Sequence, residues 1–134
     1  MGEVNHAASF RELNVYRKTK EVSRAIFELS KRFPREETYS LTDQMRRAAR
    51  SIGAQIAEAW AKRRYEKHFV SKLSDADAEQ METQHWLGEA CDCGYIDSKQ
   101  AKDLLAELQQ IGRMLNSMME KSHLFCRRSG RSDD

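Results

Sequence analysis

Residues recur at helical intervals along one long segment of the chain, and this spacing constrains the fold more than any other feature. Between residues 69 and 90, apolar, small or uncharged residues follow one another at alternating steps of four and three positions: Phe69, Leu73, Ala76, Gln80, Thr83, Leu87 and Ala90. This alternation places one stripe along a single side of an α-helix, as in the helices of a bundle. The segment therefore predicts a long helix that packs against other helices.

Three further segments show the same kind of spacing. The first covers residues 13–33 and must stop at Pro34, because the residue before a proline is disfavoured in a helix. The second covers residues 41–60, with Ser40 as its predicted N-cap, and the fourth covers residues 101–118. The sequence therefore predicts an all-α protein with four helices.

Short connections between these segments predict how the helices are arranged. Gly94 is the predicted left-handed residue after the third helix, and Asp97 the predicted cap of the fourth. Short connections make neighbouring helices antiparallel, which gives an up-down-up-down four-helix bundle. We expect this domain over residues 10–125, with a flexible N-terminus at 1–9 and a flexible tail at 126–134.

The bulk composition excludes several classes of protein. A chain of 134 residues has room for one domain, and 40% hydrophobic residues with a single proline favour helices over disorder. The odd cysteine count, Cys91, Cys93 and Cys126, argues against a secreted disulfide framework. No apolar stretch has the length of a signal peptide or a membrane span. We expect a cytoplasmic protein without a membrane partner.

Two Glu-x-x-His pairs, Glu82–His85 and Glu120–His123, match part of a di-iron site in helical bundles. Their positions argue against such a site. With the turn near residues 95–96, His123 lies about 25 Å along the fourth helix from the level of His85, at 1.5 Å per residue. No glycine-rich phosphate loop or nucleophile–base pair is present either. We therefore predict no metal, no cofactor, no catalytic residue and no enzymatic activity.

Charge is distributed unevenly although the net charge is only +2. Residues 41–72 contain eight basic and three acidic residues, whereas residues 73–93 contain six acidic residues and no lysine or arginine. Residues 10–33 are also basic. Phosphate binding is one interpretation of this polarity. The candidate nucleic-acid-binding residues are Arg46, Arg47, Arg50, Lys62, Arg63, Arg64 and Lys67.

Two other interpretations of these basic residues stay open. On a helical wheel the arginines after Met45 face away from the core, so they can form a solvated face. Asp43–Arg47 and Glu58–Lys62 have the spacing of intrahelical ion pairs. The basic residues can also pair with the acidic third helix of another subunit.

The centre of the second helix, IGAQIAEAWA, has only one charge in ten residues. A helix that is apolar nearly all round is buried on more than one side, and one bundle buries only one side. We therefore predict that a second subunit covers the other side. The candidate interface residues are Gly53, Ala54, Ala57, Trp60 and Ala61.

The segments FRELNVYRKTKEVSRAIFELSKRFPREETYSLTDQMRRAARSIGAQIAEAWAKRR, YEKHF and ETQHWLGEACDCGYI resemble the four helix bundle proteins of the large-subunit ribosomal RNA intervening-sequence family. The match extends from about Phe10 to Leu115. The family pattern S-I-P-A-N-I-A-E-G stands here as SIGAQIAEA, with departures at Gly53, Gln55 and Ala59.

The resemblance implies a bundle without enzymatic activity, in many members a homopentamer, so the predicted oligomer is ring-shaped. A related group is the basic pentameric accessory protein of diversity-generating retroelements, which binds nucleic acid and a reverse transcriptase. We therefore expect an RNA- or DNA-binding accessory protein that uses the basic surfaces of helices one and two, with a reverse transcriptase or another protein as a further partner. The alternative is a structural adaptor that makes protein–protein contacts only.

Overall fold

The computed structural model describes Glu3 and residues 6–126. Four long helices account for most of this part: α1 Asn14–Ser30, α2 Asp43–Ala61, α3 Glu66–Asp92 and α4 Ser98–Glu120. The remaining helical turns are short: 3₁₀ turns at Phe10–Glu12, Arg35–Glu37 and Ser122–Leu124, and a π turn at Thr38–Thr42. No strand is present among the described residues, and the predicted all-α class is confirmed.

Each helix packs against its neighbours in the chain, and α1 also contacts α4. Neighbouring helices run in opposite directions. Arg46, near the start of α2, contacts Ser30 at the end of α1, whereas Gly53, further along α2, faces Tyr16 near the start of α1. The described chain therefore folds as a four-helix bundle with one shared core.

The stripe predicted for the third helix forms the buried side of α3. All seven of its residues are buried, and they include the polar Gln80 and Thr83. Opposite them α4 buries a matching stripe: Leu104, Leu108, Ile111, Leu115 and Met118. The spacing in the sequence was enough to locate these residues, because a helix in a bundle buries one side along its length.

The helix ends follow the sequence at one connection and depart from it at another. Gly94 has φ 78°, the left-handed conformation that glycine adopts without strain. The Asp97 carboxylate accepts the Gln100 backbone N–H at 2.8 Å, as predicted for a cap. The prediction that Ser40 caps α2 is wrong. Ser40 lies inside the π turn that leads into α2, and its hydroxyl donates to the Glu37 carboxylate at 3.0 Å.

Parts of the segments predicted to be flexible contact the bundle. The Glu3 carboxylate accepts the backbone N–H groups of Asn14 and Val15 at the start of α1, the latter at 2.8 Å. Ala7 is buried, and Cys126 is half-buried. The rest of the predicted tail, 127–134, lies outside the described residues.

Candidate nucleic-acid interface

The seven predicted basic residues form two groups at opposite ends of α2. We name Arg46, Arg47 and Arg50 the α2 cluster, and Lys62, Arg63, Arg64 and Lys67 the turn cluster. Fifteen positions separate Arg47 from Lys62, which is about 22 Å at 1.5 Å per residue. One chain therefore presents two separate basic surfaces.

Arg46 serves the packing of α1 on α2. Its Nε donates to the Ser30 hydroxyl at 2.7 Å and its Nη2 to the Phe27 carbonyl at 3.3 Å. Its Cζ lies 4.6 Å from the centroid of the Phe27 ring. Arg46 therefore does not belong to the predicted solvated face, because the end of α1 covers that side of α2.

Arg47 and Arg50 are exposed. Together with Asp43, Arg46, Ser51 and Ala54, they line an open depression of about 380 Å³ on the outer side of α2. The predicted Asp43–Arg47 ion pair does not form among the described residues. Both guanidinium groups can therefore reach an anion in solution.

Helix α1 extends this basic surface. The sequence showed that residues 10–33 are basic, but no single residue of α1 was predicted to bind nucleic acid. Lys20 and Arg24 are exposed and precede Phe27 by seven and three positions. Residues at this spacing share one side of a helix, and the Phe27 ring contacts Arg46 and Arg50 of α2. Lys20 and Arg24 thus lie along the same side of the α1–α2 pair as the α2 cluster.

The turn cluster also divides into a packed arginine and exposed cations. The Arg63 guanidinium lies over the Trp60 ring, with its Cζ 3.6 Å from the ring centroid, and its Nε donates to the Trp60 carbonyl at 2.9 Å. Trp60 is 9% exposed, so its ring is already covered within the chain. Lys62, Arg64 and Lys67 are exposed.

The small residues of α2 do not all lie on an uncovered side. Gly53 is buried, and a Cβ built on it would lie 3.5 Å from the Tyr16 ring and 3.6 Å from the Thr19 methyl group. Gly53, a candidate interface residue, thus faces α1 rather than an uncovered side of α2. Ala54 and Ala61 are exposed and Ala57 is half-buried. These three alanines form the apolar strip that α1 leaves uncovered.

Acidic residues gather on the side of α3 next to α2. The Glu58 carboxylate pairs with Lys72 of α3 at 2.8 Å, so the predicted Glu58–Lys62 pair is replaced by a contact between helices. Burial, together with the charges of Glu82 and Asp75, raises the pKa of Glu79. Burial is the larger cause of the raised pKa, and the nearby Glu82 and Asp75 carboxylates add to it. The negative charges of these side chains make this side of the bundle unfavourable for phosphate.

The chain matches the model of the family described as 23S rRNA-intervening sequence protein over residues 11–117. The chain belongs to this family. It is also similar to the crystal structure of a protein of unknown function from the S23 ribosomal protein family of Bacteroides thetaiotaomicron. The two share 29% identity over 79% of this chain and 95% of that chain, with a TM-score of 0.71. A comparison with curated proteins finds no match.

The departures from the intervening-sequence pattern lie within the packed part of α2. Gly53 and Ala59 are buried, and Gln55 is half-buried. The Gln55 Oε1 atom is shielded from solvent and has no hydrogen-bond partner among the described residues. The three positions thus concern helix packing rather than the exposed cations.

Neither predicted Glu-x-x-His pair belongs to a metal-binding group in the structure. Within the described part of the chain, no cluster of three or more His, Cys, Asp or Glu side chains could hold an ion. Cys93 is exposed, and Cys91 and Cys126 are half-buried free thiols. None of the described helices is long and apolar enough to cross a bilayer.

Proposed function

We propose that this intervening-sequence family protein is a non-enzymatic cytoplasmic accessory protein that binds RNA or DNA through the outer basic surface of α1 and α2. One observation carries the proposal: Lys20, Arg24, Arg47 and Arg50 are exposed along one side of the α1–α2 pair and have no ion-pair partner among the described residues. Exposed cations on one surface attract a phosphate backbone whatever its sequence.

The uneven charge of the bundle supports the same proposal. The surface between α1 and α2 is basic, whereas Asp75, Glu79 and Glu82 make part of α3 acidic. A near-neutral chain can therefore attract phosphate on one side. Several weak contacts add up when copies of the chain are held together, since each further contact then forms within one complex.

Self-assembly is the second part of the proposal. Ala54, Ala57 and Ala61 form an apolar strip on α2 between its two basic ends, and short side chains allow close approach of another helix. The family resemblance favours a ring-shaped homopentamer. A reverse transcriptase, or another protein, is the corresponding protein partner.

The test measures binding of a labelled single strand of about 16 nucleotides by fluorescence anisotropy. Titrations at roughly 50 and 200 mM salt compare the parent with Arg47→Glu/Arg50→Glu. We expect at least a tenfold loss of affinity at low salt. The log–log salt slope should become shallower by about 1.4, since each phosphate contact to a single strand contributes roughly 0.7.

The matched control is Lys102→Glu/Arg113→Glu, which makes the same charge change at exposed positions of α4. Equal losses in both double variants would show that net charge, not this surface, governs binding. No binding by the parent at low salt would favour the adaptor. Light scattering on each sample measures the assembly, and the mass of a single chain at micromolar concentration would refute the oligomer.

A further inference from the structure

Tyr65 lies in the short connection between α2 and α3 and is 55% exposed. Single exposed aromatic residues are common, so exposure alone indicates no function. The surroundings distinguish this one. Lys62, Arg64 and Lys67 of the turn cluster lie within three residues of it, and the His68 ring is 5.3 Å away between centroids.

The backbone of the connection holds the Tyr65 ring at the surface. The Tyr65 N–H donates to the Lys62 carbonyl at 2.9 Å, and the Tyr65 carbonyl accepts the Phe69 N–H at 3.0 Å. Phe69 is fully buried, so the second bond ties the connection to the core. The neighbouring Arg63 is packed over Trp60, which further fixes this turn. Hydrogen bonds therefore fix the backbone that carries the exposed Tyr65 ring.

Exposed cations lie close to Tyr65 in the chain, and one of them reaches its ring. Arg64 lies over Tyr65 with its Cζ 5.9 Å from the ring centroid, near the outer limit of a cation–π contact. A flat base between the two groups needs roughly 7 Å, two van der Waals contacts, so a movement of about 1 Å by the exposed Arg64 would admit it. Lys62 and Lys67 have no ion-pair partner among the described residues.

The other strongly exposed tyrosine provides a contrast. Tyr39 is 80% exposed at the opposite end of the bundle. Glu36 and Glu37 precede it, and their charges would repel a phosphate backbone. Exposure is greater at Tyr39. Within three residues, however, Tyr39 has two carboxylates and no cation, whereas Tyr65 has the exposed Lys62, Arg64 and Lys67 and a single carboxylate, Glu66.

We propose that the turn cluster binds single-stranded nucleic acid, with an unpaired base stacked on Tyr65 and flanking phosphates on Lys62, Arg64 and Lys67. This inference rests on the proposed nucleic-acid binding and assigns its substrate class. A duplex hides the faces of its bases, whereas a single strand or loop exposes them to aromatic side chains. Stacking depends little on sequence, because every base has a flat face.

The experiment distinguishes base stacking from phosphate binding. Anisotropy titrations compare a single strand of about 12 nucleotides with an abasic strand of the same length, which keeps the sugar-phosphate chain. The intact strand is prepared both as RNA and as DNA, and the form that binds more tightly shows which nucleic acid the turn cluster prefers. We expect Tyr65→Ala to weaken binding of the intact strand about 5- to 150-fold, the range for loss of one stacked base. Its affinity for the abasic strand should stay unchanged.

Two further variants complete the design. Tyr65→Phe keeps the ring and should bind like the parent, and Tyr39→Ala removes an exposed tyrosine elsewhere and should also bind like the parent. If the parent binds intact and abasic strands equally, or Tyr65→Ala weakens both equally, base stacking on Tyr65 is refuted while phosphate binding stands. If the parent binds neither strand at low salt, the proposed function itself fails.

Discussion

Replacing Arg46 with alanine tests whether this arginine serves folding or binding. The substitution removes the bond to the Ser30 hydroxyl at 2.7 Å, the weaker one to the Phe27 carbonyl at 3.3 Å, and the contact with the Phe27 ring. Ser30 is only 2% exposed and itself donates to the Phe27 carbonyl at 3.1 Å. The three contacts of Arg46 join the end of α1 to the start of α2.

The structure sets the size of the expected effect. A hydrogen bond to a charged group contributes about 1.5–3 kcal/mol, and partial exposure of Arg46 favours the lower end. The contact with Phe27 adds about 0.5–1 kcal/mol. We expect Arg46→Ala to lower the free energy of unfolding by about 2 kcal/mol. Arg47→Ala, at an exposed neighbouring position, should change it by less than about 0.5 kcal/mol.

Urea unfolding followed by circular dichroism measures both variants against the parent. Protein concentration must be equal in all samples, because the stability of an assembled protein depends on it. The same variants are titrated with the labelled strand. We expect Arg46→Ala to be less stable than the parent but to keep most of its affinity for the labelled strand. Arg47→Ala should keep the stability of the parent and bind the strand more weakly. Equal stabilities for the two variants would refute the packing role that we assign to Arg46.

Two further predictions concern packing and pH. A Cβ added at Gly112 would lie 2.8 Å from Nε2 of the buried Gln80, whose amide is held by hydrogen bonds with Asp77 and Gln84. Overpacking of about 2 kcal/mol, less a helix-propensity gain of about 1 kcal/mol, should lower the unfolding free energy of Gly112→Ala by about 1 kcal/mol. Gly88→Ala, where the added Cβ meets open space on α3, should raise the unfolding free energy by about 1 kcal/mol. An equal increase in both variants would show that the Cβ at Gly112 does not clash with Gln80. Burial raises the pKa of Cys126 to about 11 from 9.0, so unfolded chains lose this proton first and stability should fall between pH 9 and 11. Peptide mapping at pH 8 should show iodoacetamide modifying Cys126 roughly 100-fold more slowly than a thiol of ordinary pKa, and a rate equal to that of the exposed Cys93 would contradict this.

Features that depend on one helix or one turn could be predicted from the sequence. The stripe of α3 was predictable because its spacing is set by the helix itself. The Asp97 cap and the left-handed Gly94 depend on atoms within a few residues, so local sequence contains what is needed. The π turn before α2 was not predicted, because Ser40 with Asp43 three residues later resembles an ordinary helix start.

Features that depend on a neighbouring helix were predicted less well. A wheel drawn for α2 alone cannot show that α1 covers the side with Arg46 and Gly53. It also cannot show that Glu58 reaches Lys72 of α3 rather than a lysine on its own helix. The wheel placed Arg47 facing away from the core correctly, and its side chain is exposed.

The packed arginines determine where the exposed ones point. Successive residues on a helix project 100° apart around its axis. With Arg46 held against Phe27, Arg47 therefore projects 100° away from Arg46, and Arg50 projects 40° away from it. The packing of Arg63 over Trp60 has a similar effect in the connection after α2, because it fixes the turn that presents Tyr65. One arginine of each cluster is therefore held in packing contacts and hydrogen bonds, and we propose that the exposed cations beside it meet the ligand. Under this proposal, a simple count of basic residues would include two arginines that serve packing, Arg46 and Arg63.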